Sequence, residues 1–332
     1  MRVRLGTAML LLLAGTVTGQ QALSSERYLV LATARTKTLR AELDEAVAKG
    51  YTLIAGEPAS DVLVLEKKPD GAPRRYVVND RLVSTVRNGE YKGYQILPWS
   101  LSSSQYEVGA ILESLNEGEL QPEYKLSSTA FTRNLQKDLA EASSGGYRAV
   151  ALTGLNGQAV LLEKSGSVGE SPASYQLLAT KKISTMEREI ADGAARGFRV
   201  IAATGTGHEI LVLLEKESDP AKKREYRVIS TSRTSTFERE INQAAAVGYH
   251  VVRGTGAALR KGSVLLGGTY AYEQAIIMER LADTPRVRYL LVGAQREGTI
   301  QRELNAAPAE CAIATMFLSF QEAIILLACP QQ

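Results

Sequence analysis

Apolar and polar positions along this chain repeat with a period of about fifty residues. Each period opens on a tyrosine and a short run rich in apolar and β-branched residues, which predicts a strand. Apolar residues four positions apart follow, a pattern typical of a helix with one buried stripe. A glycine, an aromatic residue and two more apolar runs complete the period. The leading tyrosines are Tyr28, Tyr76, Tyr124, Tyr175, Tyr226 and Tyr289.

The repeated pattern predicts a β-α-β-β unit. In the fourth period, residues 175–180 and 198–202 predict the first two strands, and residues 210–216 predict the third. Because a helix joins the first two strands, we expect them to be parallel, with a right-handed crossover. The second and third strands should form an antiparallel hairpin. The third strands are almost wholly apolar, which indicates interior strands buried on both faces.

These features place the chain in the α+β class, as tandem β-α-β-β repeats with mixed sheets and helices packed on one face. One unit buries little surface alone, so we expect neighbours to pack as an open row, in pairs or in a closed ring. The second and sixth repeats are degenerate, and the fifth carries an insertion. The predicted boundaries are 27–75, 76–123, 124–174, 175–225, 226–288 and 289–332.

Local signals mark the helix ends. Ser184-Thr-Met-Glu187 and Ser235-Thr-Phe-Glu238 predict capping boxes, in which a serine and a glutamate satisfy free amides of the first turn. The glycine before each aromatic residue is expected to end the helix with a positive φ. These glycines are Gly50, Gly146, Gly197 and Gly248.

The beginning of the chain has the pattern of a secretory signal. A basic start, an apolar stretch over residues 5–18 and the small residues Val17 and Gly19 predict a signal peptide at 1–19. The apolar stretch is shorter than the roughly 20 residues that a membrane-spanning helix needs. We therefore expect a periplasmic or secreted protein without a membrane span in the mature chain.

Composition and charge exclude several functional classes. Charged residues make up 23% and hydrophobic residues 45% of the chain, which is typical of a globular protein. The net charge of +3 favours no nucleic-acid partner. Two cysteines and two histidines leave little material for a metal site, so we expect neither a metal nor a cofactor.

The repeated motifs resemble a known small bacterial domain family. They combine a tyrosine-led strand, a glutamate-containing helix, a glycine–aromatic pair and a strand that ends in Leu-Glu-Lys. The helix motifs are residues 39–43, followed by Gly50-Tyr51, and residues 186–190, followed by Gly197-Phe198. Members of this family are single compact α/β units of unknown function. The resemblance covers residues 27–332 as six copies and implies a fold but no activity.

Acidic residues recur fourteen positions after the leading tyrosines and are the candidates for catalysis. A carboxylate pair would require two of them close together, whereas each lies on a separate helix. We favour contacts with a lysine or arginine near the end of a third strand. These acidic residues are Glu42, Asp138, Glu189, Glu240 and Glu303.

Cys311 and Cys329 lie at symmetric positions about residue 320, within a predicted hairpin of residues 311–318 and 322–329. This symmetry places the two thiols opposite each other on adjacent strands. In an oxidising compartment they are expected to form a disulfide, and closing such a loop is worth roughly 3 kcal/mol.

Departures from the repeat are where we expect a specific function. The second repeat contains the one tryptophan, Trp99, and the fifth carries a glycine-rich insertion with Tyr270 and Tyr272. These aromatic residues are the candidate partner-binding residues. The favoured function is an exported, non-catalytic protein that binds or scaffolds an unknown protein or envelope component. The alternatives are a hydrolase acting on a cell-envelope polymer and a small-molecule sensor that uses the clefts between repeats.

Overall fold

The computed structural model describes residues 26–33, 36–57, 62–68, 74–103, 107–129, 131–154, 158–164, 172–206, 209–219, 222–261, 271–282, 284–319 and 322–331. The predicted signal peptide lies outside these ranges. Within them the chain forms six α-helices and 20 β-strands in small antiparallel sheets, a mixed α+β fold that is mostly sheet. None of these helices is long and apolar enough to cross a membrane.

The sheets follow one another along the chain, and each is accompanied by one helix. Sheet 1 contains β1 (Tyr28–Ala32), β2 (Tyr51–Glu57) and β3 (Val62–Lys67), with α1 (Thr36–Ala48). Sheet 2 contains β4 (Tyr76–Asn79), β5 (Tyr94–Ile96), β6 (Ser102–Ser103) and β7 (Val108–Ser114), with α2 (Leu82–Asn88). Sheet 3 contains β8 (Glu123–Thr129), β9 (Arg148–Gly154) and β10 (Gln158–Lys164), with α3 (Thr132–Ser144).

The second half of the chain continues in the same way. Sheet 4 contains β11 (Tyr175–Thr180), β12 (Phe198–Gly205) and β13 (Ile210–Lys216), with α4 (Ile183–Ala195). Sheet 5 contains β14 (Glu225–Thr231), β15 (His250–Val251), β16 (Ala257–Lys261) and β17 (Ala271–Arg280), with α5 (Thr234–Ala246). Sheet 6 contains β18 (Val287–Ala294), β19 (Ala312–Leu318) and β20 (Ala323–Pro330), with α6 (Glu297–Ala306).

In each sheet the last strand lies in the middle and pairs antiparallel with both of its neighbours. In sheet 4, for example, β13 pairs with β11 through Tyr175 and Glu215, and with β12 through Phe198 and Lys216. The prediction of mixed sheets is therefore wrong, because the last strand separates the two strands that the helix connects. The prediction that the last strands are interior is confirmed, and residues 210–214 are buried.

Each helix lies between its own sheet and the following sheet. Met186 and Ile190 of α4 are buried in one cluster with Tyr226 and Ile277 of sheet 5. Equivalent clusters join sheets 1 and 2, 2 and 3, 3 and 4, and 5 and 6. A sixth cluster joins the two ends of the chain, since α6 packs on β1 of sheet 1. The six sheets thus form a closed ring.

Amide side chains of the helices bind the edge of the next sheet. The Oδ1 atom of Asn242 accepts from the Tyr289 amide at 2.8 Å, and its Nδ2 atom donates to the Tyr289 carbonyl at 2.9 Å. Asn305 of α6 makes the same two bonds to Tyr28 of β1, both at 2.8 Å. These bonds satisfy an edge strand that would otherwise expose unpaired amides and carbonyls. The ring therefore closes through the same contact that joins sheets 5 and 6.

The predicted capping boxes are wrong. Helices α4 and α5 follow Lys182 and Arg233, and no side chain caps either amino terminus. The glutamate of the second motif instead bonds across the interface between sheets, where Glu238 accepts from the Leu291 amide at 3.2 Å. The glycine prediction is confirmed, because each of the four glycines has a positive φ, as in Gly197 at 79°.

Four of the leading tyrosines join consecutive sheets through their hydroxyl groups. The hydroxyl of Tyr226 accepts from the Val200 amide at 3.0 Å, and that of Tyr175 accepts from the Ala149 amide at 2.9 Å. Both acceptors belong to the sheet that follows the donor, and both rings are buried. Burial raises the pKa of Tyr226 and the pKa of Tyr175 to about 12 each. Tyr124 and Tyr289 make the same kind of bond, so four of the six leading tyrosines contribute a hydroxyl as well as a ring.

Candidate functional site

The strands nearest the axis of the ring are called here the inner strands. They are the second strands of the sheets, together with β6 and β16, which continue the second strands of sheets 2 and 5. They contact one another in sequence around the axis: β9 with β12, β12 with β16, β16 with β19, and β19 with β2. The circuit is completed by the turn at residues 98–100, which contacts β2 and β9. The inner strands therefore surround a central space.

This space is a cavity of about 640 Å³, lined by residues of sheets 2 to 6. Its volume lies within the range of small-molecule sites, about 300–1,000 Å³. The inner strands leave it unfilled because they carry small residues such as Ala202, Ala203 and Ala258. Gly205 is required for close packing here, because a Cβ atom at this position would lie 2.3 Å from the carbonyl oxygen of Ala258.

The inner strands of sheets 2 and 5 are interrupted. Residues 98–99 separate β5 from the rest of its inner strand, and residues 253–254 lie between β15 and β16. These two segments, called here the break loops, both line the cavity. Sheets 2 and 5 are three positions apart in a ring of six, so the break loops lie on opposite sides of the axis.

A hydroxyl side chain stabilises each break. In sheet 5 the Thr255 hydroxyl donates to the Val252 carbonyl at 2.6 Å and accepts from the Ile277 amide at 3.2 Å. In sheet 2 the Ser100 hydroxyl donates to Leu97 at 2.7 Å and accepts from the Ile111 amide at 2.8 Å. Each hydroxyl satisfies a buried amide of the central strand that has lost its backbone partner. The two breaks are therefore stabilised by the same pattern of hydrogen bonds.

The break loops contribute an indole ring and a positive charge to the cavity wall. Trp99, in the first loop, is half-buried and packs against the core between sheets 1 and 2. Arg253, in the second loop, is exposed and is the one charged residue among the described residues that line the cavity. Hydroxyl groups add polarity elsewhere in the wall, including those of Ser103 and Thr153, whose oxygens lie 3.4 Å apart.

The three aromatic residues predicted to bind a partner have different locations. Trp99 lies in the cavity wall. Tyr270 lies outside the described residues. Tyr272 belongs to β17, where its backbone faces Arg260, but its side chain is not among those described. The three residues are therefore not brought together as one described surface.

Neither Arg253 nor the cavity itself was predicted from the sequence. The available signal was a recurrence of small and hydroxyl residues in the inner strands, visible in residues 151–154, 202–205 and 254–258. Such residues are poor at filling a core, and their repetition at the same place in consecutive units predicts an unfilled centre.

Cys311 and Cys329 meet at the carboxyl end of the fold, as the hairpin predicts. Their sulfur atoms lie 2.06 Å apart, the distance of a disulfide. The predicted symmetry holds next to the cysteines, where Ala312 faces Ala328, and shifts by one residue at a bulge further along. Both cysteines are buried in the cluster that closes the ring. The pair therefore lies at the junction of the two chain ends.

Two of the five acidic residues that recur on the helices bond to hydroxyl groups. Glu42 accepts from the Thr33 hydroxyl at 2.7 Å, and Asp138 accepts from the Ser127 hydroxyl at 2.5 Å. The expected contact with a lysine or arginine is wrong for these two residues, because each bonds to a hydroxyl of its own unit and neither forms an ion pair with a described lysine or arginine. No group of three or more His, Cys, Asp or Glu side chains suited to a metal ion occurs within the described ranges.

A buried carboxylate instead lies at the junction of sheets 3 and 4. Glu215 of β13 is only 2% exposed. Its two oxygens accept from the guanidinium groups of Arg148, at 3.0 Å, and Arg199, at 2.5 Å. The Tyr175 hydroxyl donates to it at 3.2 Å. This network has its hydrogen bonds satisfied and joins two sheets, which identifies it as part of the packing of the ring.

Comparison with protein-family models, curated proteins and solved structures finds no match to this chain.

Proposed function

We propose that this chain is an exported, non-catalytic binding protein, and that its central cavity holds a small molecule with an apolar body. The observation that carries the proposal is the cavity of about 640 Å³ in the centre of the ring. Its wall consists mainly of Ala, Gly, Val, Ile and Leu residues with a few hydroxyl groups. Sites for small molecules combine such an apolar wall with a few placed polar groups.

The proposal includes six tandem copies of one β-α-β-β unit, with the boundaries given by the leading tyrosines. It is supported by the common strand order of the sheets, in which the last strand is central each time. It is also supported by the equivalent positions of Asn242 and Asn305, each sixteen residues after a leading tyrosine. Copies of one unit would give similar interfaces, and similar interfaces repeated around an axis close a ring.

The proposal also places the protein outside the cytoplasm. The predicted signal peptide and the cysteine pair at disulfide distance support this location, since disulfides persist in oxidising compartments. A protein or envelope component as partner, and a hydrolase acting on an envelope polymer, stay predictions from the sequence. The hydrolase would need two carboxylates about 5–10 Å apart in an open cleft.

Intrinsic fluorescence tests ligand binding directly, because Trp99 is the single tryptophan and lies in the cavity wall. Decanol is a suitable neutral, apolar probe. We expect its titration to shift the Trp99 emission to shorter wavelength and to saturate. If emission stays unchanged up to the solubility limit of decanol, the proposed function is wrong.

A pair of variants checks where the probe binds. Thr204 lines the cavity, so Thr204→Phe should occupy part of the space and weaken decanol binding by about tenfold or more. Ser184→Phe adds the same side chain at an exposed position of α4 in the same sheet unit and should leave binding unchanged. Equal effects of the two variants would place the probe outside the cavity.

A further inference from the structure

We propose that the ligand of the central cavity carries an anionic head group, and that Arg253 binds this group from its break loop. This inference rests on the proposed function and names the chemical class of its ligand, an alkyl chain that ends in a carboxylate. The juxtaposition that carries it is a guanidinium in one break loop and an indole in the opposite one, Trp99, across an apolar space.

The charge of the cavity wall favours an anion. Arg253 makes no ion pair or hydrogen bond with any described residue, so no described residue competes with a ligand for its donors. The described lining includes no Asp or Glu that would repel a carboxylate. A guanidinium presents a planar fork that matches a carboxylate in two hydrogen bonds. Beside a low-dielectric wall this attraction is stronger than in open water.

The backbone that carries Arg253 is held in place. On one side of it, the Val252 amide donates to the Ile277 carbonyl at 3.0 Å. On the other side, the Gly254 carbonyl accepts from the Ala203 amide at 3.0 Å, which fixes the loop to the inner strand of sheet 4. Gly254 has a φ of 73°, which allows the tight turn. A fixed backbone reduces the entropy lost when the arginine binds a head group.

The equivalent loop in sheet 2 has different chemistry at the same positions. The bonding pattern aligns Leu97 with Val252 and Ser100 with Thr255, so Pro98 takes the place of Arg253. One break thus presents a rigid apolar surface and the other a cation. This difference would orient an amphipathic ligand across the ring, with its apolar chain toward Trp99 and its head group toward Arg253.

Three probes with one alkyl chain test the inference: decanoate, decanol and decyltrimethylammonium. Trp99 emission reports the binding of each. At low ionic strength we expect decanoate to bind about tenfold more tightly than decanol, and decyltrimethylammonium to bind more weakly than decanol. The preference for decanoate should fall as salt is added, because Arg253 is exposed.

Variants of Arg253 assign the preference to this residue. Arg253→Gln should lower decanoate affinity by about tenfold and leave decanol affinity within about twofold, whereas Arg253→Lys should keep part of the preference. The matched control is Arg239→Gln, at an exposed arginine of α5 in the same sheet unit, and it should change neither affinity.

The outcomes separate the inference from the proposed function. If decanol binds but decanoate binds no more tightly, or if Arg253→Gln does not reduce the preference, the anionic head group is wrong while the apolar site stands. If none of the three probes changes Trp99 emission, the proposed function fails with the inference. Only a decanoate preference that depends on Arg253 supports both.

Discussion

Replacing Asn305 by alanine tests whether the first and last sheets are joined in solution as they are in the structure. The Asn305 side chain accepts from the Tyr28 amide and donates to the Tyr28 carbonyl, both at 2.8 Å. Tyr28 is 1% exposed, so its backbone groups have little access to water. The variant removes both bonds and adds no new group.

The expected loss follows from the two backbone groups left without partners. An unsatisfied buried donor or acceptor costs about 1–3 kcal/mol. Some water will reach the site because alanine is smaller, so we expect Asn305→Ala to lower the free energy of unfolding by about 2–4 kcal/mol. Asn242→Ala is the matched control, since Asn242 makes the same pair of bonds, at 2.8 and 2.9 Å, to Tyr289 between consecutive sheets.

Two measurements check the prediction. Urea unfolding followed by circular dichroism gives the free energies of the wild type and both variants. Hydrogen exchange with mass spectrometry reports protection of β1, which we expect to be high in the wild type and low in Asn305→Ala. A closed ring gives similar losses for the two variants. The argument is refuted if Asn242→Ala costs several kcal/mol while Asn305→Ala costs less than about 0.5 kcal/mol.

Three further predictions concern packing and pH. Arg199→Met removes one guanidinium from Glu215, which is 2% exposed, and should cost about 1–3 kcal/mol in urea unfolding; a cost below about 0.5 kcal/mol would mean that the carboxylate is solvated. Burial raises the pKa of Tyr226 from 10.0 to about 12, so the stability from its phenol is complete below pH 10 and is lost as pH rises toward 12. Tyr226→Phe should flatten the pH dependence of unfolding in that window, and an unchanged slope contradicts this. Replacing Cys311 and Cys329 by alanine should lower the free energy of unfolding by about 3 kcal/mol, and an unchanged urea midpoint would show that the pair adds nothing.

The features that were predictable from the sequence depend on local geometry. Gly197 follows a helix and requires a positive φ, and this requirement is readable without knowing the neighbours. The run at residues 210–214 is apolar throughout, which favours a strand covered on both faces. The cysteine pair followed from the symmetry of one hairpin, since both residues belong to adjacent strands.

The features that were not predictable depend on which residues, distant in sequence, contact each other in the fold. Alternation within a strand does not say which neighbour it pairs with, so the central position of the last strand had no local signal. Glu238 fits a capping motif, yet its carboxylate bonds to Leu291 of the next sheet. An edge strand leaves amides without a strand partner. Glu238 satisfies one such amide in the next sheet, and a motif within the helix does not reveal that this amide is nearby.

Closure and ligand binding are coupled by the geometry of the ring. One wall of the cavity belongs to the last sheet, because residues of β19 line it. The same strand packs against β2 of sheet 1 as well as against β16. Opening the junction of sheets 6 and 1 would let the wall at Phe317 and Met316 separate from its neighbours and admit water. Asn305→Ala should therefore weaken decanol binding although Asn305 does not line the cavity. Arg253→Gln should instead alter head-group preference without changing the urea midpoint, since Arg253 bonds to no described residue. If Asn305→Ala lowers stability and decanol affinity while Arg253→Gln changes only head-group preference, ring closure and ligand recognition depend on different residues. If Arg253→Gln also lowers the urea midpoint, the break loop supports the ring.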